Sequence, residues 1–351
     1  MATLYQNQCA NIKTMINKYS VLVLTDHKTH TSDDSIYNLL TCLNNSEWCK
    51  SLYVSSRGVD ENKSFYSQPD EFQVKARVMD EHLNFLNGDS WFNNNNNNNE
   101  LNENVDVIII RVDHPVSDSF LISLKKAFPT SLFINEPEGI IKASGKEYLL
   151  QFPALIPYSR LLKSVREVIE LSRERHIVIK PLKGYGGKGI LRMNPSSFFI
   201  GNEEFPLSVA KETIQLAIKM DGGVFVTEYL PNVFEGDNRV LVVNGSVIGS
   251  VLRVPKSNSW VCNLSQGGKA LPSKVSLEEI EIAKILSEKL NKIGITLFGF
   301  DTLVGNDGKR VLSEINVTNV GGFTQLKDNG DEDVFNKVSS LLLSYISENL
   351  A

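Results

Sequence analysis

The stretch GFDTLVGNDGKRVLSEINVTN, residues 299–319, reads as two strands folded about a turn, and its polar residues decide how the rest of the chain is read. Val311, Ile315 and Val317 recur at period two on one face, while Glu314, Asn316 and Thr318 alternate with them on the other. Asn306, Asp307 and Gly308 supply the turn that returns the strand 297–305 antiparallel to its partner. Taken alone, a solvated sheet face accounts for such a polar row. A register that sets Asp301 near Glu314 instead puts two carboxylates about 5 Å apart, which is destabilising unless a cation sits between them. With Asn316 they make an all-oxygen cluster of the kind that holds Mg²⁺ together with substrate phosphates.

Composition frames this reading. A chain of 351 residues exceeds what one core usually organises, so two or three domains are expected. Its 36 basic and 41 acidic residues give a net charge of −5, which argues against a nucleic-acid surface. No apolar run approaches the roughly 20 residues of a membrane span, and the first 20 residues lack a signal-peptide core, so a soluble cytoplasmic protein is expected. Cys9, Cys42, Cys49 and Cys262 are scattered and the five histidines show no paired ligand spacing, which leaves only oxygen-ligand metal chemistry.

Along the chain, residues 1–20 read as a lead-in. Strands at 21–26, 51–56, 105–112 and 131–136 then alternate with helical patterns, one carrying Ile36, Leu39, Leu40 and Leu43 behind a cap at Ser32 or Asp33. Residues 21–136 thus predict a parallel-sheet, Rossmann-like α/β domain, with the asparagine run 93–99 in a mobile surface loop. Past the turn-rich junction 135–139, strands at 176–181, 189–193, 223–230 and 239–254 follow one another through short turns, with Asn244-Gly245 as a type I′ hairpin. Ser276 and Glu279 form a capping box for a helix stopped by Gly294, and a last helix spans about 334–345. The expected division is 1–20, 21–136, a central lobe 137–228 and a C-terminal lobe 229–351.

A second chemical signal is IVIKPLKGYGGKGILRM, residues 177–193. Lys180 ends an apolar strand beside Gly184, Gly186, Gly187 and Gly189, so an ammonium meets a loop of bare backbone N–H groups that can grip phosphate. Gly184, Gly186 and Gly189 satisfy GxGxxG, but a strand follows where a dinucleotide site needs a helix, and a flexible hairpin explains the stretch equally well. Asp237, Arg239 and Arg253 would supply, in one cleft, a hydroxyl-reading acid and two guanidinium groups suited to phosphate.

The order of these pieces, with RVDHP (111–115), INEPEGI (134–140), EYLP (228–231), GDNRVLVVNG (236–245) and NLSQGGK (263–269), resembles the ATP-grasp ligases, and among them the bacterial-type glutathione synthetases, from about Val21 to Tyr345. The resemblance implies an ATP-grasp fold with two α+β lobes behind the first domain. It also implies ligation of γ-glutamylcysteine and glycine through an acyl phosphate, with ATP and Mg²⁺ or Mn²⁺. By that resemblance Asp301, Glu314 and Asn316 are the metal ligands, Lys146 and Lys180 contact ATP phosphates, and the loop from Gly184 through Gly186 and Gly187 covers them. Thr227, Glu228, Tyr229 and Leu230 form the adenine hinge, Asp237 accepts from the ribose, and Arg239 and Arg253 stabilise the phosphate or acyl-phosphate oxygens. A homo-oligomer, dimer or tetramer, is implied as well. Asn319 to Gly322 stand where members commonly carry Ser-Pro-Thr, and Val112 and His114 where basic and proline residues are usual.

Three other readings stay open at this level: a glutamate- or D-alanine-adding ligase of the same superfamily, a non-catalytic ATP-binding module, and, weakest, an NAD protein. The complete set Asp301, Glu314 and Asn316 speaks against the non-catalytic module, because a protein that only binds ATP has less need of metal charge neutralisation.

Overall fold

The computed structural model describes residues 17–350 apart from 68–73, 81–82, 94–98, 102–104, 185, 202, 257–259 and 263–266. Residues 94–98 of the asparagine run and most of the lead-in therefore lie outside the described residues.

The first sheet contains β1 (Tyr19–Thr25), β2 (Cys49–Ser56), β3 (Lys75–Val78), β4 (Asn99–Glu100), β5 (Val107–Ile110) and β6 (Leu132–Ile134) in the order 4-3-2-1-5-6. Strands 2-1-5-6 run parallel and β3 and β4 close one edge antiparallel. All seven residues of β1 are buried, as a strand covered on both faces requires. Five helices belong here: α1 (Ile36–Asn44), α2 (Lys63–Ser67), α3 (Gly88–Phe92), α4 (Asp118–Ala127) and α5 (Pro137–Ala143). The stripe Ile36, Leu39, Leu40 and Leu43 is buried, but α1 starts after Ser35 rather than after Ser32 or Asp33. Ser35 does not cap the helix with its hydroxyl, which instead accepts from Arg111 Nη2 at 3.1 Å.

The second sheet is antiparallel, with β7 (Ser159–Leu162), β8 (Ile177–Pro181), β9 (Leu191–Met193), β10 (Phe198–Ile200), β11 (Glu203–Phe205) and β12 (Val224–Glu228) in the order 11-10-9-8-12-7. Two helices, α6 (Val165–Glu174) and α7 (Leu207–Asp221), cover one face and enclose a core of Val168, Leu171, Ile177, Ile179, Ile214 and Val226. A reading of this region as strand after strand missed both. The signals were present: Ser164 and Glu167 have capping-box spacing, and the Ser164 hydroxyl does accept from the Glu167 N–H at 3.3 Å. Gly222, at φ 78°, ends α7 in the left-handed conformation. Residues 137–152, expected in this lobe, pack instead through Ile140, Ala143, Tyr148, Leu149 and Phe152 into the core beside the first sheet.

The third sheet, also antiparallel, contains β13 (Asp237–Val243), β14 (Ser246–Val254), β15 (Lys269–Pro272), β16 (Leu297–Val304) and β17 (Arg310–Asn316) in the order 15-14-13-16-17. Asn244 (φ 46°) and Gly245 (φ 74°) make the hairpin turn expected of them. Three helices follow the sheet's course, α8 (Leu277–Leu290) with its capping box, α9 (Phe323–Asp328) and α10 (Val334–Leu350). The period-two reading of β17 needs one correction: a bulge between the pairs Asp301–Glu314 and Thr302–Leu312 leaves Ser313 unopposed. The apolar face therefore runs Leu312, Ile315, Val317, and Val311 is only half-buried.

The first and third sheets share their cores. Leu22, Leu24 and Phe133 fall in one cluster with Val240, Phe298 and Leu286, while Val21, Val23 and Leu40 fall in another with Leu241, Phe335 and Leu342. Asn135, 3 % exposed, stitches the two: its amide nitrogen donates to the carbonyls of Leu297 (2.6 Å) and Val317 (2.7 Å), and its oxygen accepts from the N–H groups of Thr296 and Leu297 (2.9 Å each).

Candidate active site

Strand register builds the centre of the site. Arg239 on β13 lies opposite Asp301 on β16, which lies opposite Glu314 on β17, so three charged side chains form a row across the sheet. Asp237 and Arg253 face each other across β13 and β14. Arg253 forks onto both oxygens of Asp237 (2.6 and 2.9 Å) and also reaches Asp301 Oδ2 at 2.7 Å. Arg239 forks onto both oxygens of Asp301, the Nη2 contact measuring 2.9 Å.

Burial alone would raise the carboxyl of Asp301, but the guanidinium groups of Arg239 and Arg253 outweigh it and hold the group well below the usual carboxylate range. For Asp237 burial wins over Arg253, and its carboxyl is pushed up to about 6. Each carboxylate oxygen has two lone pairs. Asp301 Oδ2 takes two donors and Oδ1 one, so Oδ1 keeps one lone pair for a cation.

Beside this row a cleft of about 790 Å³ runs between the second and third sheets, walled by Val178, Ile190, Phe225, Leu230, Leu303 and Leu312. Its far end is aromatic: His176 stacks on Tyr229 at 4.2 Å, and Arg192 lies 5.2 Å over the same ring. The hinge Thr227 to Leu230 lines it. Of these, Glu228 already donates its N–H to Tyr158 O and Tyr229 to His176 O (2.9 Å each). That leaves the Leu230 N–H as the hinge donor without a partner among the described residues, the group through which this segment can read a flat heterocycle. Asp237 borders the same cleft, with both oxygens held by Arg253.

Lys180 lines the cleft, and Lys146 lines a smaller cavity next to it. Lys180 points its ammonium at the carbonyl and hydroxyl of Ser313 (3.4 Å each), and burial lowers its pKa against the opposing pull of Glu314. Lys146, buried, donates to Gly184 O, so it and the glycine loop are in direct contact. Gly186, Gly187 and Gly189 take φ values of 63°, 74° and 70°, which side chains disfavour.

Two further cavities open on the other side. One is lined by His114, Lys146, Asn316 and Glu314, the other, of about 1350 Å³, by Asp34, Asp113, His114, Arg239, Asn316, Thr318 and Glu314. Glu314 borders all three spaces, and His114, which burial pushes down to about 4, is neutral there.

The donor set fits a hard divalent cation. Glu314 is opposite Asp301 in register and Asn316 follows it on the same face of β17, and the Asn316 amide nitrogen is buried without a partner among the described residues. The sequence pattern missed Ser313, exposed by the bulge, and the wider role of Glu279. Read only as a cap, Glu279 is wholly buried and accepts from Asn238 (2.9 Å) and Thr302 (2.5 Å), the residues adjoining Asp237, Arg239 and Asp301.

The family model of the prokaryotic glutathione synthetase ATP-grasp domain matches residues 145–331, just over half of the chain. The chain belongs to this family. The glutathione synthetase of Bradyrhizobium diazoefficiens is 29% identical over 240 residues, 66% of this chain and 71% of that protein. That of Agrobacterium fabrum is 27% identical over 303 residues, 82% and 88% respectively. Among solved structures, a D-cycloserine synthetase superposes with a TM-score of 0.64 at 12% identity, covering 93% of this chain and all of that one, a likeness of ATP-grasp fold. The chain is accordingly an ATP-dependent ligase of the glutathione synthetase family, with its ATP-grasp match spanning Lys146, the glycine loop, the hinge and the row Arg239, Asp301, Glu314. Among the described residues no helix is long and apolar enough to cross a membrane.

Proposed function

We propose that the chain joins γ-glutamylcysteine to glycine, with ATP filling the cleft between the second and third sheets and the amino-acid substrates the larger cavity beyond. The observation that carries this is the position of Glu314, which borders both spaces on a row with Asp301 and Arg239. A carboxylate at that junction, with two lysines on one side and two arginines on the other, suits phosphoryl transfer between the two spaces.

In this reading the γ-phosphoryl group passes to the cysteinyl carboxylate, releasing ADP. The glycine amine then attacks the carbonyl carbon, the C–O bond to phosphate breaks, and the amine gives up a proton. Lys180 and Lys146 hold ATP phosphates, and the Gly184–Gly189 loop lies over them. Arg239 and Arg253, fixed by Asp301 and Asp237, face the oxygens that gain charge. Asp301, Glu314 and Asn316 would hold the divalent metal, Mg²⁺ or Mn²⁺, which when bound neutralises charge on the transferring phosphate. Reading Leu230 as the adenine contact leaves Glu228 and Asp237 for the ribose edge. A homo-oligomer and a cytoplasmic setting complete the proposal.

The test is phosphate release from Mg²⁺-ATP with γ-glutamylcysteine and glycine together and with each omitted. Release that needs both, with glutathione as product, is expected. Release with another acid and amine pair, and none with this one, would refute the substrate assignment.

A further inference from the structure

The aromatic end of the cleft between the second and third sheets is held by a group that does not itself line it. Arg192 on β9 lies directly opposite Phe199 on β10, so the two side chains share one face of that hairpin, and the guanidinium sits 4.2 Å over the Phe199 ring. The same guanidinium is 5.2 Å from the ring centroid of Tyr229, in the hinge, and 5.8 Å from that of Trp260, which follows β14. Both distances fall within the roughly 6 Å reach of cation–π attraction. Among the described residues Arg192 forms no ion pair, and its Nε is buried without a hydrogen-bond partner. With no carboxylate to draw it elsewhere, the three rings set its place.

The β9–β10 hairpin thus grips Trp260 at two points. The guanidinium attracts its ring, and Gly201 O, just past β10, accepts from its indole N–H at 2.7 Å. Tyr229 is pinned as well, by its N–H on His176 O (2.9 Å) and by its ring stacked on His176. Burial and the nearby guanidinium both lower the pKa of His176, so it stacks as the neutral imidazole. Tyr229 and Trp260 come from opposite lobes, meet at an interplanar angle of 74° and both line the cleft. Arg192 is the one side chain among the described residues within cation–π reach of both.

We propose that Arg192 is a positioning residue for the nucleotide base: by holding Tyr229 and Trp260 in one arrangement across the two lobes, it keeps the aromatic end of the cleft preformed. The inference rests on the reading that ATP fills this cleft, and it adds which side chain sets the base's share of the affinity. A flat heterocycle entering here meets two rings that are already ordered. Without the guanidinium those rings have to be ordered when the base binds, and that cost is taken from affinity. In the same reading the phosphates lie with Lys180, Lys146 and the glycine loop, so the loss falls on nucleotide binding and not on transfer.

The experiment titrates Mg²⁺-ADP calorimetrically into the full chain as wild type, Arg192→Met, Trp260→Leu and the double variant, with KM for ATP and kcat measured on the same proteins. Arg192→Met keeps an apolar stem and removes the charge; Kd for ADP and KM for ATP are expected to rise about 10-fold, with kcat within about 2-fold of wild type. The double variant should bind about as weakly as the weaker single one, because both changes remove the same contact. Arg192→Lys keeps a cation without the planar fork, so a rise of about 3-fold is expected, and it carries the test if thermal unfolding shows that Arg192→Met does not fold. An unchanged Kd in the Arg192 variants, a fall in kcat at unchanged Kd, or a double variant whose loss is the product of the single losses overturns the inference and leaves the proposed function standing. No binding of ADP by the wild type overturns the placement of nucleotide in the cleft, and this inference with it.

Discussion

The second and third sheets face each other across the cleft proposed for ATP, yet they are built differently. The second has a core of its own under α6 and α7, and its other face is the cleft wall. The third has no private core: its strands and α8 to α10 interleave with the first domain in two shared clusters, stitched by Asn135. The lobes meet through polar contacts such as Lys180 to Ser313, Lys146 to Gly184 and Trp260 to Gly201, through Phe225 of β12, which enters the core shared by the first and third sheets, and through a small apolar cluster of Val178, Val233, Trp260 and Cys262. Asp237, Arg239, Arg253, Asp301 and Glu314 all lie on the third sheet, which shares its cores with the first, while Lys180 and the glycine loop belong to the second. In the proposed reading the charges at the transferring group thus stand on one body and the loop over the phosphates on the other, the division that phosphoryl transfer under a cover calls for.

The largest effect is expected at the row itself. Glu314→Gln keeps the size and leaves the apolar packing of β17 alone, so thermal unfolding should stay close to wild type. Phosphate release with both substrates should fall about 10²- to 10³-fold, the scale of removing one preorganised charge from a transition state. A near-full rate in this variant would remove Glu314 from the metal and phosphate site. Next comes the stitch. Asn135→Ala leaves four buried backbone groups unpaired at once, and a loss of about 3 to 5 kcal/mol in urea unfolding is expected. A loss below about 1 kcal/mol would break the claim that the first and third sheets behave as one body.

A milder change separates the lobes. Ser164→Ala removes the cap of α6 and should cost about 1 kcal/mol. If the second sheet is its own unit, faster amide exchange should appear in residues 159–228 and leave β1, β5 and β16 unchanged. Exchange that quickens everywhere would show that the two cores unfold together.

How much of this the chain declared depended on the range of the interaction. The pairing of Asp301 with Glu314 and the Asn244-Gly245 hairpin were readable because a short turn fixes the register of its own strands. The Ser276–Glu279 box and the buried stripe of α1 were equally local. The bulge at Ser313 was not, since nothing in a period-two pattern marks one extra residue, and it is that residue which meets Lys180. Nor could local pattern show that Asp301 anchors two arginines, or that Lys146 reaches Gly184 from 38 residues away. Those facts arise when three strands and two segments distant in sequence converge. The two helices of the second sheet are a different case, because their cap, stop and stripe are all local and present in the sequence.

The smallest predicted effect bears most directly on the seam between the lobes. Trp260, from the connection between β14 and β15, donates its indole N–H to Gly201 O at 2.7 Å, in the turn between β10 and β11 of the opposite lobe. Its ring stands edge-on to Tyr229, with centroids 6.4 Å apart, and lines the cleft between the two sheets. Trp260→Phe keeps an aromatic ring in the wall and removes only that hydrogen bond, worth about 1 kcal/mol. If the bond helps hold the cleft closed on nucleotide, KM for ATP should rise about 5-fold, with kcat and global stability near wild type. The direction is the informative part. Weaker closure raises KM because the closed state is the one that binds, whereas a fall in kcat at unchanged KM would mean that Trp260 acts on the transferring group. That result would tie the seam to the transferring group rather than to nucleotide binding.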